Sequence, residues 1–259
     1  MKNYGIIMAG GKGTRLNPIT QNINKHLLPI YDKPMIFYSL SVLIYANIKN
    51  ILIICNEKEV EKFKKLLIPV EKKNKISIKF HIQKNIGGGI AEGLKLSKPF
   101  VNKAQKIILM LGDNFFYGRE FPKNLEKIIK KKTNKSHVFL SEVSKPQDYG
   151  IAYLKQNKIY KIIEKPKNFK SNLAITGLYV YNKNIFNLLQ KIKPSKRNEL
   201  EISSLNKLLL KKNHLDYVRI GKGTSWFDLG SYENIFQCSE LIRLIEKRQG
   251  IKISNIDKE

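Results

Sequence analysis

Met8 to Thr20 reads M-A-G-G-K-G-T-R-L-N-P-I-T and directly follows the apolar run Tyr4-Gly5-Ile6-Ile7. Gly10, Gly11 and Gly13 permit positive φ and let backbone N–H groups approach a ligand closely. A turn of this kind after a strand makes a concavity in which successive amides point at phosphate oxygens. Met8 and Thr14 border it; Lys12 and Arg15 add positive charge, and Arg15 brings the planar fork suited to phosphate. The spacing is neither G-x-x-x-x-G-K-[ST] nor G-x-G-x-x-G, and Pro18 stands where a following helix would have to continue. Two acids lie 115 positions apart, Asp113 in L-G-D-N and Asp228 in W-F-D-L-G. An acid just past a hydrophobic strand is placed to hold Mg²⁺ beside bound phosphates, since that ion needs one or two carboxylates and takes its other ligands from phosphate and water. A turn cap by Asp113 is the structural alternative.

The elements that must position these residues follow from the apolar pattern. Asn50 to Cys55 and Lys106 to Leu111 are near-continuous hydrophobic runs, as strands covered on both faces would be. Ile76 to Ile82 alternates, as a half-buried strand would. Helices are predicted from Pro34 at the first position through Met35 to Ile48, over Glu57 to Leu67 with Val60, Phe63 and Leu67 on one face, and over Phe121 to Lys132. Ser231 caps a last helix running to about Arg248, with Glu233 in its first turn. Ile151 to Lys155 and Ile159 to Ile163 flank a polar Gln156-Asn157 turn, the pattern of a hairpin. Strands alternating with helices point to a parallel sheet with covering helices.

The totals bound the rest. A chain of 259 residues with 42% hydrophobic content is globular, with ample core. The net charge of +27 is carried by 42 lysines and six arginines, and the lysines are spread over the whole chain. Sequence-specific nucleic-acid readers lean on arginine, so this charge is read as solvated surface and no specific nucleic acid is expected as a partner. Cys55 and Cys238 have no metal spacing and read as small core residues. The glycine-rich stretch begins almost at once, which leaves no room for a targeting segment, and no apolar run reaches the length of a membrane span. The expectation is a cytoplasmic protein with no membrane partner.

Gly10 to Thr20 resembles the signature of the sugar-nucleotide pyrophosphorylases, similar to G-G-x-G-T-R-L-x-P-x-T. Further motifs in family order run from about residue 3 to about 253: N-K-H-L-L-P-I-Y-D-K-P-M at Asn24, Gln83 before Gly87-Gly88-Gly89, L-G-D-N, Tyr149-Gly150, Glu164-Lys165-Pro166, Ala174 to Tyr181, R-N-E-L-E-I at Arg197, and W-F-D-L-G. The resemblance implies an α/β fold, a Rossmann-like three-layer α/β/α nucleotidyltransferase with a mostly parallel mixed central sheet and a small β insert. It implies one catalytic domain over 1–240, followed by the end of the last helix and a short tail over 241–259.

What it implies about the site is specific. Met8, Gly10, Gly11, Gly13, Thr14, Gln83 and Asp113 would bind a nucleoside triphosphate, with Gln83 reading a pyrimidine and either Gly88 or Gly89 lying against the base. Arg15, Lys25 and Lys165 would be catalytic, Arg15 on the leaving pyrophosphate and the lysines on the attacking phosphate. Tyr149, Gly150, Glu164, Lys165, Ile175, Thr176 and Trp226 would hold the sugar 1-phosphate, and Asp113 with Asp228 would hold Mg²⁺. Read without the resemblance, Lys25 is an ordinary surface lysine and Glu164-Lys165 an exposed charged pair. The acids of R-N-E-L-E-I read as a cap on the following helix. The implied reaction is thymidylyl transfer from dTTP to glucose 1-phosphate by a homo-oligomer. The alternatives are the same chemistry with UTP, CTP or another sugar 1-phosphate, or a non-catalytic relative that binds a nucleotide-sugar. Family members commonly carry Thr where Leu229 stands, and Gln where His26 stands.

Overall fold

The first apolar run forms β1 (Tyr4–Met8), buried at all five residues. The computed structural model describes residues 2–85, 87–195 and 198–257. After β1 the chain makes short 3₁₀ turns over Thr14–Leu16, Ile19–Gln21 and Lys25–Leu27 rather than a helix, as Pro18 requires. Then come the two-residue ladder of β2 (Pro29–Ile30) and β3 (Lys33–Pro34), helix α1 (Met35–Tyr45), β4 (Asn50–Cys55), α2 (Val60–Asn74) and β5 (Ser77–Ile82). The second part continues with α3 (Ile90–Leu96), β6 (Lys106–Leu111), β7 (Asn114–Tyr117), α4 (Phe121–Lys130) and β8 (Ser136–Glu142). The hairpin β9 (Gly150–Lys155) and β10 (Lys158–Glu164) precedes β11 (Leu173–Asn182), α5 (Ile185–Leu189) and α6 (Ile202–Lys211). The last elements are β12 (Leu215–Arg219), β13 (Ser225–Asp228) and α7 (Tyr232–Gln249). Pro34 stands one residue ahead of α1, in extended conformation with ψ 140°, rather than inside its first turn.

Nine strands form one mixed sheet, ordered β10-β9-β11-β6-β1-β4-β5, with β8 pairing β11 and β12 pairing β8. Strands β6, β1, β4 and β5 are mutually parallel, and β11 is antiparallel to β6. The hairpin expected as a small insert extends this sheet rather than standing apart, with β9 joined to β11 at Ala174↔Ile151. Gln156 and Asn157 take φ 48° and 55°, the positive values a tight hairpin turn needs at both central residues.

Alternate residues of β1 enter two different cores, which is why its sequence is apolar throughout. Ile7 packs with α1, α2 and α4 on one face, through Leu40, Phe63 and Leu125. Ile6 and Met8 pack with α3, α5 and α6 on the other, through Leu94, Ile185 and Leu205. The result is three layers. A further cluster joins α7 to α1 and β7 through Cys238, Ile242, Tyr38 and Phe115. Both cysteines are buried and free. Among the described residues no helix is long and apolar enough to cross a membrane. Phe63 is completely buried between α2 and the sheet. Phe63→Ala is expected to lower stability by about 3–5 kcal/mol in a urea titration, the cost of lost burial plus an unfilled cavity.

Candidate active site

Strand order reverses between β1 and β6: the chain leaves β1 toward β4 on one side and later returns to its other side. Ligands in open α/β sheets bind in the crevice beyond the carboxyl ends of the strands at such a point. A cavity of about 430 Å³ lies there, lined by the loop after β1, Lys25, Gln83 after β5 and Asp113 after β6. Met8, Gly10, Gly11, Gly13, Thr14, Arg15, Lys25, Gln83, Gly89 and Asp113 all line it, so the predicted nucleotide set converges with the exception of Gly88. Of the three glycines after β1, only Gly13 uses the left-handed region, at φ 65°, where it starts the Thr14–Leu16 turn. Thr20 Oγ1 donates to its carbonyl at 2.8 Å and holds the turn closed.

Gly88 is not among the residues that line the cavity. Its carbonyl accepts from Leu200 N at 2.8 Å, and Ala91 N donates back to Leu200 O at 3.1 Å. Gly89, at φ 93°, lies so close to that segment that an added Cβ would sit 2.5 Å from Leu200 O. The second glycine-rich loop is therefore seated on the backbone ahead of α6. Gln83 is buried, and its Nε2 donates to Glu92 Oε2 at 2.9 Å. Asn85 Nδ2 donates to the other oxygen of Glu92 at 3.1 Å, a supporting role for Glu92 that no motif indicated.

Capping does not describe the acids of R-N-E-L-E-I. Glu201 occupies the position before α6, yet its side chain makes no capping hydrogen bond; Oε1 accepts from Ser195 Oγ at 2.9 Å. Glu199 and Glu201 line the cavity instead. Arg197 lies outside the described residues.

Asp113 and Asp228 meet by a route the sequence did not indicate. Asp228 is not at the edge of the main sheet. It ends β13, which pairs only with β7 in a separate ladder, and the register sets Asp228 opposite Asn114. Leu229 N donates to Asp113 O at 2.8 Å, which fixes the crossing. Leu229 itself is fully buried in the α7 cluster, so this departure from the family pattern leaves the site untouched.

Lys25 forms an ion pair with Asp113 Oδ2, and Arg15 lies 3.7 Å from Asp228 Oδ2. Burial alone would raise the pKa of Asp113. The Lys25 ammonium and hydrogen bonds from Lys25 and Asn114 outweigh burial and hold the carboxyl well below its usual range. Burial and the negative charge of Asp113 push Asp228 the other way, up to about 6, against the pull of Arg15 and Lys25. Two neighbouring buried carboxylates split in this way when nothing but side-chain cations neutralises them. His26 is 1% exposed, and its Nδ1 lies 2.8 Å from Asn24 Oδ1. Burial, reinforced by Lys25, lowers its pKa to about 3, so the ring is neutral at physiological pH. Its ring lies against Gly112, in the turn between β6 and β7, and lines the cavity.

Asn114 ties the two halves of the site together. Its Nδ2 donates to Asp113 Oδ1 at 3.2 Å, and its Oδ1 accepts from Trp226 Nε1 at 2.7 Å and from Gly177 N at 2.9 Å. Tyr149 stands edge-on to Trp226 with ring centroids 5.4 Å apart. Burial first, then Asp228, raises the Tyr149 pKa, which places its hydroxyl within the field of that carboxylate. Lys165 N donates to Tyr149 O at 2.9 Å, and Glu164 Oε2 would sit 3.0 Å from a Cβ on Gly150. Thr176 is fully buried, with a hydroxyl that has no partner among the described residues, while Ile175 packs into the core. Tyr149, Gly150, Glu164, Lys165, Thr176 and Trp226 thus form a second group beside the carboxylates and outside the first cavity's lining.

Comparison with known proteins places the chain in a family. The family model for nucleotidyl transferases matches residues 4–243. A glucose-1-phosphate thymidylyltransferase of Neisseria meningitidis is 37% identical over 98% of this chain and 87% of its own length. One from Xanthomonas campestris is 38% identical over 96% of this chain and 83% of its own. A UDP-glucose pyrophosphorylase solved with UDP-glucose, 24% identical, shares the fold at a TM-score of 0.81 over 94% of this chain and 99% of its own. The glycine-loop cavity, the paired aspartates and their cations sit in a chain that belongs to the nucleotidyl transferase family.

Proposed function

We propose that this chain transfers a thymidylyl group from dTTP to glucose 1-phosphate, giving dTDP-glucose and pyrophosphate. The observation that carries the reading is the meeting of Asp113, Asp228, Lys25 and Arg15 at one rim of the glycine-loop cavity. A phosphate oxygen of glucose 1-phosphate attacks the α-phosphorus of dTTP; the new P–O bond forms as the bond from the α-phosphorus to the bridging oxygen breaks. Pyrophosphate leaves with that electron pair. The nucleophile is already an anion, so no covalent intermediate on the protein is needed, and catalysis is positioning and charge neutralisation.

Each group has a role suited to its place. The amides of Gly10, Gly11 and Gly13 and the exposed Arg15 take the triphosphate, with Arg15 on the leaving pyrophosphate. Lys25 and Lys165 hold the attacking phosphate, and Tyr149, Glu164 and Trp226 surround the sugar, with the fully buried Thr176 behind them. Gln83 commits its amide N–H to Glu92, which leaves its carbonyl oxygen to accept the N3–H of the base. Asp113 and Asp228 fit Mg²⁺: among the described residues no third His, Cys, Asp or Glu joins them, and two carboxylates plus phosphate oxygens suit this ion. Bound there, the ion would neutralise phosphate charge that Lys25 and Arg15 alone do not cover.

The test is pyrophosphate release with Mg²⁺ across nucleotides and sugar 1-phosphates. A dominant rate with dTTP and glucose 1-phosphate is expected. UTP belongs in the panel because a carbonyl at Gln83 accepts the same N3–H from uracil as from thymine. A dominant rate with another pair would keep the mechanism and reassign the substrates, and silence on every pair from folded protein would overturn the proposal.

A further inference from the structure

A second cavity, about 530 Å³, opens at the opposite end of the sheet, where β6 begins and β11 ends. Lys106 and Asn182 face each other there as register partners. Lys106 is 3% exposed, and its ammonium donates to Asn182 Oδ1 at 2.7 Å and to Thr133 O at 2.9 Å. An ammonium has three N–H donors and these bonds use two. Because Asn182 Oδ1 must face the ammonium, the orientation of the amide is fixed, and its Nδ2 is turned elsewhere. That Nδ2 is buried and has no partner among the described residues. Lys131, Lys132 and Lys183 complete the basic lining, and no Asp or Glu is among the described lining residues.

A buried donor left unpaired costs as much as a lost hydrogen bond, and a buried cation without a counter-charge costs more. The deficit at Lys106 is removed by one kind of occupant, a compact anion with several acceptor oxygens that can take the third N–H. We infer that this cavity is a binding site for a phosphate-class oxyanion, held at Lys106 and surrounded by Lys131, Lys132 and Lys183. Burial also lowers the pKa of Lys106, and an anion beside it would pull that pKa back up. The inference rests on the far end of the sheet and is independent of the catalytic reading.

The test is trace acetylation of lysines, read residue by residue by mass spectrometry, with orthophosphate, dTTP, or potassium chloride at matched ionic strength. Lys131, Lys132 and Lys183 are expected to slow about threefold or more under a saturating phosphate ligand, while Lys64 on α2 is unchanged. Protection by orthophosphate supports the site with free phosphate as its source; protection by dTTP alone supports it with the phosphates of a nucleotide as the source. Equal protection by chloride, or none by any anion, overturns it. Lys106 anchors the fold, so the variant of choice is Lys132→Glu with Lys183→Glu, both exposed. Loss of protection at Lys131 with unchanged pyrophosphate release is expected, and retained protection would count against the site.

Discussion

Asp113→Asn is expected to lower kcat/KM by about a thousandfold or more while leaving thermal stability within a few degrees of the parent. The catalytic loss follows from the removal of one of the two carboxylates proposed to hold Mg²⁺ against the phosphates, an effect of about 4 kcal/mol. The near-neutral stability follows from opposing terms at the same residue. Asn114 can still donate to the new amide, and Asp228, whose pKa burial and then the Asp113 charge raise to about 6, is relieved of that like charge. Against this, Lys25 loses its buried partner. Steady-state kinetics beside calorimetry separates the outcomes. Full activity would remove Asp113 from the mechanism, and collapse of the fold would show that the Lys25 pair is structural.

Gly89→Ala should raise the KM for the nucleotide about tenfold or more, whereas Gly87→Ala should change it little. Both residues take positive φ, 93° and 102°, so both substitutions carry backbone strain of about 1–3 kcal/mol. Only Gly89 adds a collision: its Cβ would meet Leu200 O at 2.5 Å and Leu200 N at 2.9 Å, while Gly87 has nothing within 4 Å. Relief requires breaking the Gly88–Leu200 and Ala91–Leu200 hydrogen bonds, which moves the loop that carries Gln83 and Glu92. The two variants measured side by side distinguish strain alone from loss of the seat. Equal KM values would mean that the loop does not need Leu200 to present Gln83.

The contrast with the sequence is instructive at particular residues. β4 and β6 were legible to the residue because a strand buried on both faces must be apolar throughout. α2 was not: it runs to Asn74, seven residues beyond the expected end, although Pro69 lacks the N–H that a helix interior uses. Val70, completely buried on the next position, holds the last turns against the sheet. The glycine loop and both aspartates were legible because their chemistry is local. How Asp228 reaches Asp113 was not, since a β7–β13 ladder is a long-range pairing that no local pattern encodes. Nor was the seating of Gly88 and Gly89 on Leu200, more than a hundred positions away.

The Asn114 side chain has a practical corollary. Trp226 is the chain's single tryptophan, and its indole N–H reaches Asp113 through one carboxamide. Any event that repositions the Asp113 carboxylate changes the polarity felt by the one indole fluorophore in the molecule. The protein therefore carries an intrinsic optical probe of the rim where Asp113 and Asp228 meet, and binding there can be followed in real time without a label.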